Sequence, residues 1–175
     1  LCKKRLKDEF IDHPEHQQDR FQTLIEELRR SPIAIETDAA NVQHYEVATD
    51  FYLASLGNRL KYSCAYYPDS STTLDQAEEE MLALYSKRAE LDNDQEILEL
   101  GCGWGSLTLW MAENYPRSKI TAVSNSSSQK SYIDQLCRKA GFNNVTVITA
   151  DVNFLELESA QFDRVISIEM FEHMR

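Results

Sequence analysis

Basic residues are the minority in this 175-residue chain. Eighteen lysines and arginines stand against 29 aspartates and glutamates, a net charge of −11. A surface of that sign repels phosphate backbones and anionic lipid, so no nucleic-acid partner is expected and a membrane lipid is a poor one. Cysteine is scarce. Cys2, Cys64, Cys102 and Cys137 form no C-x-x-C pair, and their spacing suits neither a zinc site nor a disulfide framework; the chain reads as reduced and cytoplasmic. Long apolar runs and a signal peptide are both missing, which excludes a membrane-spanning helix from the expectations. Histidine is rare as well, and His13-Pro14-Glu15-His16 has no thiol beside it. It reads as the solvated start of a helix, with proline in the first turn, and no metal site is expected. The chain begins at Leu1 and stops soon after its fourth candidate strand, so it reads as a fragment of a longer protein. Hydrophobic content of 42% is still enough for a real core.

Glycine is scarcer than in most domains, yet three of the five glycines stand at alternate positions. The stretch is Glu96-Ile97-Leu98-Glu99-Leu100-Gly101-Cys102-Gly103-Trp104-Gly105. An apolar strand ends in a glycine-rich turn, and a helical pattern with Leu107, Leu109, Trp110 and Met111 follows. Strand, glycine turn and helix together build a cofactor site in open α/β sheets. Glycine permits a sharp turn and close approach of a ligand. The helix behind it presents unpaired N–H groups to an anion. The spacing is G-x-G-x-G, with acidic Glu99 two places ahead, and not the G-x-G-x-x-G of dinucleotide sites. It resembles motif I of the class I S-adenosylmethionine-dependent methyltransferases.

The chain divides near residue 92. Residues 1–92 form an expected helical region and 93–175 an expected sheet domain. Phe21, Leu24, Ile25 and Leu28 recur at helical spacing within a helix from Glu15 to Arg30, ended by Ser31-Pro32. A second helix is expected from about Asp38 to Leu56, with His44 and Tyr45 half-buried in it. The tyrosine-rich segment from about 60 to 68, with Tyr62, Ser63 and Cys64, reads as a packed connector or as a lid over a site. Thr73-Leu74-Asp75-Gln76 forms a capping box for a helix to about Glu90. The run Glu78-Glu79-Glu80 reads as that helix's solvated face.

Four strands follow, at about 96–100, 119–124, 145–150 and 163–168, alternating with helices from Gly105 to Asn114 and from Ser126 to Gly141. The second of these helices opens with another capping box, Ser126 to Gln129. That alternation predicts a parallel sheet with ligands beyond the carboxyl ends of its strands. Ser124, Asn125 and Gln129 follow the second strand, where many nucleoside sites have an acid; uncharged donors and acceptors can still bind a diol. Asp151 and Val152 follow the third. Asp151 reads either as a turn cap or as an acceptor for an exocyclic amine. Glu169, Glu172 and His173 follow the fourth, and a helical turn there puts all three on one face. They read as a general-base cluster or as an acid-rich helix start.

From about Asn41 to Met174 the chain resembles the cyclopropane fatty acid synthase-like methyltransferases. Within them it is most similar to the plant amine branch, the coclaurine N-methyltransferases. The matching residues are His44-Tyr45-Glu46, Leu60 to Tyr66, Leu98 to Leu107, Ser124-Asn125-Ser126 with Gln129, and Ser167 to Met174. The resemblance implies a class I methyltransferase (Rossmann-like) α/β fold, a parallel sheet with helices on both faces after an α-helical N-terminal region, of which this chain holds the first four strands. It implies S-adenosyl-L-methionine as cofactor, held by Tyr62, Ser63, Glu99, Gly101, Gly103, Gly105, Ser124, Asn125, Gln129, Asp151 and Val152. It makes the 60–68 segment a lid, with His44, Tyr45 and Cys64 on the substrate side. Glu169, Glu172 and His173 become the catalytic cluster for N-methylation of a small-molecule amine, in a protein compatible with a homodimer. In the lipid branch the position of Glu169 is typically not acidic, and that of Glu172 helps hold a bicarbonate base, with Cys64 close by. The alternatives are a cyclopropane-fatty-acyl-phospholipid synthase and a truncated, non-catalytic cofactor-binding fragment.

Overall fold

The structure, a computed structural model, describes residues 2–9, 14–35 and 49–174. Helices α1 (Cys2–Glu9) and α2 (Pro14–Arg30) lead the chain. The apolar stripe of α2 is formed as expected, but Phe21, Leu24 and Leu28 are exposed along it. Helix α3 (Thr49–Ser55) is the described end of the second expected helix; residues 36–48, with Asn41 to Glu46 and therefore His44 and Tyr45, lie outside the described residues, as does His13. Helix α4 (Leu74–Arg88) begins in the full capping box of Thr73 and Gln76.

Four strands form one parallel sheet: β1 (Glu96–Leu100), β2 (Lys119–Ser124), β3 (Val145–Thr149) and β4 (Arg164–Ser167). Their order is β3-β2-β1-β4, with Ile97 beside Ile120 and Arg164, and Ala122 beside Val147. Helices α5 (Ser106–Asn114) and α6 (Ser127–Ala140) fill the connections. Partners across a ladder share a face, so Ile97, Ile120, Ala122, Val147 and Ile166 all point one way. That face meets Leu107 and Met111 of α5 and Ile133 and Cys137 of α6. Leu82 of α4 is in the same cluster as Ile97 and Met111, so α4, on the far side of residue 92, shares the core of the sheet. The opposite face carries an open cavity of about 510 Å³, lined in part by Thr121, Thr146, Ile148, Leu157 and Phe162.

The N-terminal segment is tied to the carboxyl ends of the strands. The Asn153 carboxamide pairs with both Ala34 N and Ala34 O at 2.9 Å, and Ala34 bridges to Met174. Among the described residues no helix is long and apolar enough to cross a membrane.

Candidate functional site

The loop after β1 turns through three left-handed glycines, Gly101, Gly103 and Gly105. Gly101 N and Cys102 N both donate to Val123 O at 3.0 Å, which folds the loop across the end of β2. A Cβ at Gly101 would lie 2.7 Å from Met170 Sδ, while one at Gly103 would meet nothing within 4 Å. The first glycine therefore admits the loop that follows β4, and the second borders open space. Gly105 caps α5 without any side-chain bond to the helix amides, so those amides are available to an anion. Glu99 is buried just ahead of the loop and accepts from Thr108 Oγ1 at 2.5 Å. Burial pushes its carboxyl up to about 7.

At the end of β2, Ser124 Oγ donates to Gln129 Oε1 at 2.7 Å and accepts from Ser126 N at 3.0 Å. The second capping box is thus only half formed. Ser126 Oγ accepts from Gln129 N, but the Gln129 side chain turns to Ser124. Asn125 is half-buried beside them. Asp151 caps the 3-10 turn Val152–Phe154, its Oδ1 accepting from Asn153 N at 2.8 Å, so the cap reading of Asp151 is realised. Among the described residues, four buried side-chain polar atoms have no hydrogen-bond partner: Gln129 Nε2, Trp104 Nε1, Ser106 Oγ and Ser167 Oγ. Unpaired buried donors are uncommon and costly. Ser167 ends β4, Trp104 lies in the glycine turn, and Ser106 and Gln129 lie in the first turns of α5 and α6; such a donor set fits a small molecule rich in acceptors.

The segment from Leu60 to Cys64 reaches across this end of the sheet. Tyr62 is exposed, and its ring stands edge-on to Tyr52 at 5.1 Å. Tyr52 in turn lies 5.1 Å from Trp104 of the glycine loop. Lys61 is buried, donating to Ser63 Oγ and, at 3.2 Å, to Tyr85 OH; desolvation lowers its pKa. Burial, with the Cys64 thiol 3.7 Å away, raises that of Tyr85.

Sequence reasoning misses Glu78 here. The expected solvated acid is 1% exposed and accepts backbone N–H groups from Gly57, Arg59 and Lys61. The available signal was helical spacing, because Glu78 sits three, four and seven residues before Met81, Leu82 and Tyr85.

The loop after β4 also differs from expectation. Glu169 is left-handed, with φ of 50°, and the helical turn that follows is a 3-10 turn over Phe171–His173. Glu169 stands outside that turn, so the three- and four-residue spacing does not bring it onto one face with Glu172 and His173. Its carboxylate instead accepts from Cys64 N at 2.8 Å. That bond, with Lys61 nearby, holds its pKa below the usual carboxylate range. Glu172 and His173 are exposed two and three residues beyond Met170, which presses on Gly101.

A parallel sheet in this order, with the glycine turn after its first strand and polar residues at the carboxyl ends of the others, is the Rossmann-like arrangement, and the solved structures it matches make it the class I methyltransferase fold. Within that class the chain belongs to the mycolic acid cyclopropane synthetase family, whose profile matches residues 34–175. It is 42% identical over 161 residues to an (S)-coclaurine N-methyltransferase of Thalictrum flavum subsp. glaucum, covering 92% of this chain and 44% of that protein. A solved coclaurine N-methyltransferase bound to N-methylheliamine and SAH superposes with a TM-score of 0.86 at 41% identity, covering 98% of this chain and 49% of that one. A cyclopropane-fatty-acyl-phospholipid synthase of Escherichia coli (strain K12) is 33% identical over 132 residues, 75% of this chain and 32% of that protein. The chain spans less than half the length of these relatives.

Proposed function

We propose that this chain carries the cofactor half of an S-adenosylmethionine-dependent N-methyltransferase acting on a small-molecule amine in the cytoplasm. The observation that carries the reading is the Glu169–Cys64 bond. It brings the segment ahead of the glycine loop and the acid–histidine loop after β4 to one place. The relatives named as amine N-methyltransferases support the choice of acceptor.

When bound, S-adenosylmethionine supplies an electrophilic methyl group on a positively charged sulfur. The amides of the glycine loop and of early α5 would hold its carboxylate. Ser124, Asn125, Gln129, Asp151 and Val152 would hold its nucleoside, and Tyr62 and Ser63 would cover it. Glu99 ionises near neutral pH and could answer its ammonium group. An alkyl amine is protonated at neutral pH and must lose a proton before its nitrogen can accept a methyl group. Glu169 is a weak base, because the Cys64 N–H already stabilises its charge. Proton acceptance falls to Glu172 or His173, while Glu169 keeps a negative charge to attract the ammonium form. Alignment contributes more than proton transfer.

Calorimetric titration of the chain with S-adenosylhomocysteine tests the cofactor reading, with micromolar affinity expected. A folded chain that does not bind overturns it. Transfer of labelled methyl to a panel of cyclic amines tests the acceptor. Glu172→Ala and His173→Ala are expected to lower transfer about 10²–10⁴-fold, with S-adenosylhomocysteine affinity unchanged. Label recovered instead in unsaturated phospholipid would assign the chain to the lipid branch. Light scattering checks whether the chain is a homodimer.

A further inference from the structure

The segment that closes the site is held from behind. It leaves α3 at Gly57 and reaches Cys64 without forming a helix or strand. Only Leu60 N is satisfied within it, by a turn to Gly57 O at 2.9 Å, so its other amides need partners elsewhere. Three of them point at one carboxylate. Glu78 Oε1 accepts from Gly57 N at 3.0 Å and from Lys61 N at 3.3 Å, and Oε2 accepts from Arg59 N at 2.9 Å. One helical turn earlier, Asp75 accepts from Asn58 N and Asn58 Nδ2, both at 2.8 Å. Gly57 is what allows the approach. A Cβ there would lie 2.7 Å from Glu78 Oε2 and 2.8 Å from Asp75 Oδ1. Its φ lies outside the left-handed region, so close contact, and not backbone strain, is the reason for glycine.

We propose that Glu78 is a positioning residue that fixes the segment 61–64 over the cofactor site by binding the amides of 57, 59 and 61 through one buried carboxylate. It touches neither cofactor nor acceptor. It acts through Lys61, whose amide it binds and whose ammonium group meets Ser63 and Tyr85, and through the short chain onward to Cys64 N. The inference rests on the cofactor reading above and adds the residue that preorganises the cover.

Glu78→Gln is the incisive variant. It keeps the shape but supplies one acceptor and one donor, so whichever way the amide turns it faces at least one N–H with a donor. Gly57→Ala attacks the same contact from the other side, and Glu80→Gln, on the exposed face of α4, is the control. Hydrogen–deuterium exchange on the cofactor-free chain should show loss of protection at residues 57–64 in both test variants, with β1, β2 and β3 protected as in the parent. Affinity for S-adenosylhomocysteine should fall roughly tenfold or more, as expected when a hydrogen bond to a buried charge is lost, while Glu80→Gln matches the parent. Parent-like protection at 57–64 with parent-like affinity overturns the proposal. So does a uniform loss of protection across the sheet in both test variants, which would make Glu78 a general stability residue. A parent chain that fails to bind S-adenosylhomocysteine overturns the cofactor reading instead, and the exchange data then decide the clasp alone.

Discussion

Buried ionisable groups set the behaviour of this molecule at the scale of single residues. Among the described residues Glu99 has only Thr108 Oγ1 to offset full burial, and its carboxyl is pushed up to about 7 from 4.5. The folded state therefore binds a proton that the unfolded state has lost between those two values. Stability from this group is complete below about 4.5 and falls as pH rises to about 7, after which it is constant. The shift corresponds to about 3 kcal/mol. Glu99→Gln keeps an acceptor for Thr108 and removes the titration. Urea melts from pH 4.5 to 8 should show parent stability declining across that window relative to the variant; parallel profiles would mean that Glu99 stays charged in the fold. Glu169 is the opposite case, a carboxylate kept charged by a backbone donor from a distant segment.

The elements show where local sequence rules suffice and where they stop. The α4 capping box, the four strands and the glycine turn were legible, because each depends on residues a few positions apart. Strands β3 and β4 are each shorter than expected by one residue or one at each end, where sheet pairing gives way to the turns that carry Asp151 and Glu169. Long-range partners were not legible. The acid run on α4 looks like a wet face until Gly57, Arg59 and Lys61 arrive, and Glu169 looks helical until Cys64 N draws it into left-handed backbone. Gln129 looks like half of a capping box until Ser124 competes for it. The glycine turn offers a clean test of element against site. Gly103→Ala puts a methyl group where nothing stands within 4 Å, so its stability cost is only the left-handed strain of about 1 kcal/mol. Affinity for S-adenosylhomocysteine should nevertheless drop by roughly tenfold or more, because the methyl group occupies the approach to the loop amides. A variant that melts lower but binds as the parent does would remove Gly103 from the cofactor site.

The whole molecule combines strong negative charge with uncovered apolar surface. Strand β4 has one described neighbour, and Val165 on it is 61% exposed. Phe21, Leu24 and Leu28 line α2 without a cover among the described residues. An unpaired edge strand recruits other strands, and a net charge of −11 opposes that encounter until salt screens it. Sedimentation should find self-association that grows with protein concentration and with ionic strength, and Val165→Lys should reduce it. Salt-independent monomers would show the edge to be harmless.

The aromatic cluster around the glycine turn has an optical consequence. The chain has two tryptophans, and Trp104 lies between glycines with Tyr52 at 5.1 Å and Tyr132 at 5.5 Å. Tyrosines that close hand their excitation to an indole. The ultraviolet emission of that indole therefore reports on the turn itself, from a ring whose N–H has no partner among the described residues. A solute that settles there will change the colour and brightness of that emission, which makes the indole a built-in dye for the proposed cofactor site.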